Sequence, residues 1–137
     1  MFSQIMVPVD LSHSDALGKA FSVAGGLARQ YGAGLHLVSI NAQGLSGMAL
    51  PIDEDREKLR DIARQLQTDH GVEVTPHNLA TPDPEVEVDA RLMRAIDQIG
   101  CDLVVMASHV PGILEYLFSS HAGHLAAHAK VSVFVVR

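Results

Sequence analysis

Residues 102–122 read Asp-Leu-Val-Val-Met-Ala-Ser-His-Val-Pro-Gly-Ile-Leu-Glu-Tyr-Leu-Phe-Ser-Ser-His-Ala. The apolar run 103–106 has the length of a buried strand, polar and turn-forming residues follow it, and a helix is expected to start near Ser120. In a parallel sheet such a junction leaves the carboxyl ends of the strands open. The following helix points its unpaired N–H groups and the positive end of its dipole into the gap. The segment therefore suits an anion, and it equally suits a plain strand-to-helix turn, which needs small polar residues whatever it binds.

Outward from this stretch the chain alternates between two periodicities. Residues 5–10 (Ile-Met-Val-Pro-Val-Asp), 35–40 and 131–136 are apolar runs like 103–106, and all four are expected to be buried on both faces. Leu17, Phe21, Ala24, Leu27, Ala28 and Tyr31 recur at helical spacing after a Ser12 or Ser14 cap, and Gly32 and Gly34 end that helix. The Gly25-Gly26 pair weakens the helix or lets it pack close to the sheet. A second helix is expected over 53–70, with Leu59, Ile62, Ala63 and Leu66 on one face, and a third over 85–99, through Val88, Leu92, Ala95, Ile96 and Ile99. Residues 72–79 alternate like an exposed or edge strand, with Pro76 marking a position that lacks a ladder donor. A fourth helix is expected over 120–129.

Five strands alternating with four helices predict an α/β fold, an open, doubly wound parallel sheet in the order 3-2-1-4-5, formed by a single domain over 1–137. In that order the chain changes direction between strands 1 and 4. Asp10 then lies beside residues 107–110 at the carboxyl edge, where ligands of such sheets bind. Residues 41–52, with Gly44, Gly47 and Met48, read as a loop over the same edge or as idle surface.

Composition narrows the function classes. A formal charge of -6 with only 10 Lys and Arg argues against a nucleic-acid partner held through phosphates. A lone cysteine, Cys101, forms no internal disulfide, and it reads as a buried small hydrophobe rather than a reactive thiol. The opening residues lack the basic front and long apolar run of a signal peptide, and no stretch reaches membrane-spanning length, so a cytoplasmic location is expected. His121, His124 and His128 stand at helical spacings, but no Glu of a His-Glu-x-x-His motif and no cysteine cluster accompanies them. They read as surface or interface histidines, with no metal site. No nucleophile, base and orienting acid form a recognisable catalytic set.

The sequence resembles the universal stress protein family over essentially its whole length. The resemblance is carried by Ile5-Met-Val-Pro-Val-Asp10, by Cys101-Asp-Leu-Val-Val-Met-Ala-Ser-His109, and by Ser120 leading through His128-Ala129 into Val131-Ser-Val-Phe-Val-Val-Arg137. Within the family it is nearest to the branch with Ala-Ser-His-Arg-Pro after strand 4, here Ala-Ser-His-Val-Pro. The resemblance implies the Rossmann-like fold of the adenine nucleotide α-hydrolases. It also implies ATP or AMP, with magnesium where phosphates require it, at the carboxyl edge. By the same resemblance Pro8, Val9 and Asp10 line the adenosine with the acid on the ribose hydroxyls, and Ile40 lies near the base. Met106 and Ala107 flank the sugar, and His109, Val110, Ser119, Ser120 and His121 border the phosphates. Read from the residues alone, Asp10 and Ser120 are equally helix N-caps.

The family's nucleotide motif places glycine, two residues, glycine, nine residues, glycine, then Ser or Thr. Here the three glycine positions hold Ala107, Val110 and Ser119, with eight residues between the last two. Val110 replaces an arginine of the resembling branch and Ser119 a glycine. Loss of one charge-assisted hydrogen bond, about 1.5–3 kcal/mol, weakens binding by roughly tenfold to a hundredfold. The resemblance further implies a homodimer through the C-terminal strand, using Val131, Ser132, Val133, Phe134 and Val135. Slow ATP hydrolysis, with Asp10 and His109 as the nearby titrating groups, stays open beside two functions that follow from it. One is a dimeric stress-response regulator that binds an adenine nucleotide. The other is a dimer that has lost phosphate binding and works only through a protein partner.

Overall fold

The computed structural model describes residues 1–42, 52–81, 84–107 and 131–137. In chain order they form β1 (Gln4–Val9), a 3-10 segment (Leu11–Leu17), α1 (Gly18–Tyr31), β2 (Gly34–Ala42), α2 (Ile52–His70), β3 (Val74–Thr81), α3 (Pro84–Ile99), β4 (Leu103–Ala107) and β5 (Ser132–Val136). The five strands make one parallel sheet in the order β3-β2-β1-β4-β5, the expected doubly wound arrangement. The fourth helix expected over 120–129 lies outside the described residues. Asn41 and Ala42 extend β2, and Ile52 begins α2, so the expected loop is shorter at both ends.

Alternation along the strands divides the core into two layers. Ile5, Val7, Val9, Leu35, Leu37, Leu103 and Val105 face α1 and α2, where they meet Phe21, Ala24, Ala28, Leu59, Ala63 and Leu66. Met6, Val38, Val104 and Met106 face α3 through Leu92, Ala95 and Ile96. Strands buried on both sides read as continuous apolar runs, which explains the appearance of β1, β2 and β4 in the sequence. The C-terminal strand departs from that expectation. As the last strand of the sheet it leaves Ser132, Val133 and Phe134 exposed, Phe134 by 45%.

Two local devices differ from the sequence reading. The turn after β1 is capped by Asp10, not by Ser12 or Ser14: Asp10 is extended (φ -89°, ψ 106°) and accepts from the Ser12 N–H. The resulting 3-10 segment delays α1 to Gly18. Gly25 is small because of α2 rather than the sheet, since a Cβ there would collide with the His70 ring. Gly26, its neighbour, faces open space.

At the opposite edge of the sheet β3 is, as expected, an outer strand. The Leu35 N–H donates to the Glu73 carbonyl, so the backbone groups of residues 75, 77 and 79 point toward β2 and those of 74, 76 and 78 point outward. Pro76 therefore removes a donor from the open edge, which blunts pairing with another chain. On the α3 face a polar chain crosses the first three strands. His36 Nε2 lies 2.6 Å from Gln4 Oε1, and His36 Nδ1 lies 2.9 Å from His77 Nε2. An amide oxygen only accepts, so the neutral rings donate in sequence, His77 to His36 and His36 to Gln4. Burial holds both histidines below the usual 6.5, and the two rings repel further charge at His36, while Glu73 acts the other way.

Candidate functional site

The site begins with a missing hydrogen bond. The Gly34 N–H donates to the Ser3 carbonyl, so residues 5, 7 and 9 of β1 direct their backbone groups to β2 while 4, 6 and 8 direct theirs to β4. The β1–β4 ladder is paired at Ile5↔Leu103 and Met6↔Val104 and goes no further, although the β1–β2 ladder continues to Val9↔Ser39. The next bond toward β4 belongs to residue 8, and Pro8 has no N–H. The carboxyl halves of β1 and β4 are thus unlaced from each other. At this mouth, where strand order reverses, Asp10 lies beyond one strand end and Ala107 at the other.

Asp10 stands at that mouth, its side chain one-quarter exposed. Its Oδ1 accepts from the Ser12 N–H at 3.0 Å and from the Ser12 hydroxyl, and its Oδ2 lies 3.0 Å from His13 Nδ1. Burial acts to raise its pKa. The bonds from Ser12 and His13 outweigh burial and hold the carboxyl below the ordinary 3.8. It is an ionised acceptor at neutral pH, fixed in place before any ligand arrives. A carboxylate offers about four acceptor positions, and the three contacts leave room on Oδ2 for one more donor.

Of the residues named from the sequence, the fold brings Pro8, Val9, Asp10, Met106 and Ala107 to the carboxyl ends of the neighbouring strands β1 and β4. Val9 and Met106 are each 3% exposed, and Ala107 is half-buried. Ile40 lies near the end of β2 and packs with the α3-side cluster. His109, Val110, Ser119, Ser120 and His121 lie outside the described residues, as do His124 and His128. Among the described residues no three His, Cys, Asp or Glu side chains are grouped to hold a metal. Cys101 is buried, and burial, with Asp102 beside it, pushes its thiol up to about 11, which leaves it protonated and unreactive.

Sequence reasoning missed three groups. His13 gave no sign of pairing with Asp10, because the contact depends on a turn that only the Asp10 cap creates. Asp102 drew no reading of its own, since it stands just before the apolar run 103–106. It ties the amino end of β1 to the start of β4, its Oδ2 accepting from the Ser3 N–H (2.9 Å) and hydroxyl (2.8 Å) and its Oδ1 from the Gln4 N–H (3.1 Å). Asp55 is 5% exposed, and among the described residues its Oδ1 has no hydrogen-bond partner. It had a signal: it falls one turn before Leu59 on the apolar face of α2, an unusual place for an acid.

The universal stress protein family model matches residues 1–137. The chain belongs to the universal stress protein family. Among solved structures it is similar to a universal stress protein from Archaeoglobus fulgidus (21% identity, all of both chains covered, TM-score 0.72). It is also similar to the universal stress protein from Archaeoglobus fulgidus in complex with dAMP (20% identity, 98% of each chain, TM-score 0.71). A third is a universal stress protein in complex with cAMP (19% identity, 99% of this chain and 97% of that one, TM-score 0.69). At these identities the likeness to the solved structures is one of fold. Among the described residues no helix is long and apolar enough to cross a membrane.

Proposed function

We propose that this universal stress protein binds an adenine nucleotide, ATP or AMP, in the crevice between β1 and β4 and acts as a homodimeric regulator in the cytoplasm. One observation carries the reading: Pro8 ends the β1–β4 ladder where Asp10 is held as an ionised acceptor. Two similar family members, solved with dAMP and with cAMP, support the same ligand class. In this reading Asp10 accepts from a ribose hydroxyl, Val9 and Met106 give apolar walls, Ile40 approaches the base, and Ala107 flanks the sugar. His109, Ser119, Ser120 and His121 border the phosphates, with magnesium where ATP requires it. Ser12 and His13 position the acid.

The dimer forms through β5. The Ser132 N–H donates to the Asp102 carbonyl, so residues 132, 134 and 136 direct their backbone groups to β4 and those of Val133 and Val135 face the open edge. That edge has no proline, and its Val133 and Phe134 side chains are exposed by 38% and 45%. It is the unguarded counterpart of the edge that Pro76 blunts.

A second reading is favoured by Val110 and Ser119, which replace an arginine and a glycine of the resembling branch: the same dimer working only through a protein partner. The test is what the protein carries from the cell. Denaturation and chromatography of the purified chain are expected to release an adenine nucleotide from the wild type and little from Asp10→Ala. Equal release from both removes Asp10 from the site. No nucleotide from either favours the second reading.

A further inference from the structure

On the face of the sheet that packs on α3, β2 and β3 hold two imidazoles against each other in their amino halves. His36 and His77 are each half-buried, and His36 Nδ1 lies 2.9 Å from His77 Nε2. The other nitrogen of His36 is committed elsewhere, because its Nε2–H donates to Gln4 Oε1 at 2.6 Å. The backbone makes room for that contact: a Cβ at Gly34 would stand 2.6 Å from Gln4 Oε1. A neutral ring with its proton on Nε2 has a bare lone pair on Nδ1, and here that lone pair stands beside His77 Nε2. The same pattern marks metal-ligating histidines, whose second ring N–H is held by a carbonyl, a carboxylate or water. Glu73 adds a carboxylate near enough to favour positive charge at the His36 ring.

We propose that His36 Nδ1 and His77 Nε2 together bind one divalent transition-metal ion of the zinc or copper class, with water completing its shell. Two nitrogens bound to a tetrahedral ion at about 2.0–2.1 Å stand roughly 3.3–3.4 Å apart. The rings therefore part by about 0.5 Å to admit it. The two strands are paired through His36↔Thr75 and Val38↔His77, so small ring rotations suffice and the ladder stays intact. Metal replaces the hydrogen bond between the rings, and the proton on His77 Nε2 passes to His77 Nδ1, which leaves both rings neutral. Burial already disfavours their charged forms, and only an unprotonated nitrogen ligates. Imidazole suits zinc and copper, whereas magnesium and calcium prefer oxygen ligands. The pair shares no residue with the crevice at Asp10.

The test is titration of the isotope-labelled, untagged and metal-stripped full chain with zinc chloride, against magnesium chloride at matched ionic strength. The readout is the ring nitrogen resonances of the histidines. Saturable coordination shifts at His36 Nδ1 and His77 Nε2 are expected with zinc and not with magnesium, with the His36 Nε2–H retained and the His77 proton on Nδ1. Gln4→Leu removes neither ligand and is expected to weaken zinc affinity about ten- to hundredfold. His77→Asn is expected to abolish saturable binding at His36. The wild-type ring shifts decide the question even where a variant unfolds. Zinc shifts confined to His121, His124 and His128, equal shifts with magnesium, or an affinity unchanged in both Gln4→Leu and His77→Asn overturn the proposal.

Discussion

At the scale of single residues, two aspartates and two histidines set acid responses of the same sign in different pH windows. Asp10 and Asp102 have folded pKa values below the ordinary carboxylate value: burial opposes this in each, and hydrogen bonds outweigh it. Their stabilisation is present above pH 3.8 and is lost as pH falls through the lower folded values. His36 and His77 are held below 6.5 by burial. As pH falls below 6.5 the unfolded chain takes up protons first, so stability declines there, well before the carboxylates respond. A protonated His36 also presents N–H to N–H across its bond with His77. Urea midpoints measured from pH 7.5 to 5 are expected to fall, and the fall is expected to flatten in a His36→Asn, His77→Asn double variant. An unchanged slope assigns the acid response elsewhere. This network was not legible in the sequence, because His36 and His77 lie 41 positions apart and meet only through the β2–β3 register. Asp10 was legible as either ribose acceptor or cap, and the structure shows that it is a cap with acceptor capacity left over.

At the scale of elements, the chain's periodicities gave the strands and helices, and the exceptions lie where one element presses on another. The alternation of runs 5–10, 35–40 and 103–106 with helical stripes sufficed for a parallel sheet, since doubly buried strands are apolar throughout. The run 131–136 looks the same for a different reason: its exposed Val133 and Phe134 mark an outer strand. The Gly25-Gly26 pair reads as one feature in sequence and acts as two. Gly26→Ala is expected to stabilise α1 by about 0.5–1 kcal/mol, because it meets no neighbour and gains helix propensity. Gly25→Ala is expected to cost about 1–3 kcal/mol by pushing against the His70 ring. Most of that cost is expected to vanish in a His70→Ala background. Chemical denaturation of the three variants checks this, and an equal effect at Gly25 and Gly26 refutes it. The same scale holds the proposed role of Pro8 in opening the site. Pro8→Ala restores an N–H facing β4, so the new amide at position 8 is expected to be protected from hydrogen exchange and nucleotide affinity to fall as the crevice laces shut. An unprotected amide there means that Pro8 does not hold the strands apart.

At the scale of the whole molecule, the two sheet edges divide the work. The β3 edge lacks one donor at Pro76 and borders the arginines of α2. The β5 edge keeps its outward N–H and C=O groups and exposes Val133 and Phe134. Sedimentation of Val133→Asp is expected to show monomers where the wild type is dimeric, because two carboxylates would meet in an apolar contact. A variant that stays dimeric removes β5 from the interface. The charge of -6 argues against a nucleic-acid partner held through phosphates. The order of the sheet and the position of its switch point were legible from alternation and crossover handedness alone. The early end of the β1–β4 ladder was not, because it depends on which way the Pro8 nitrogen faces. The most direct measurement is calorimetric titration of the nucleotide-stripped protein with ATP and AMP, with and without magnesium. Low-micromolar binding to the wild type, lost in Asp10→Ala, is expected. No heat at millimolar nucleotide contradicts nucleotide binding at the β1–β4 crevice.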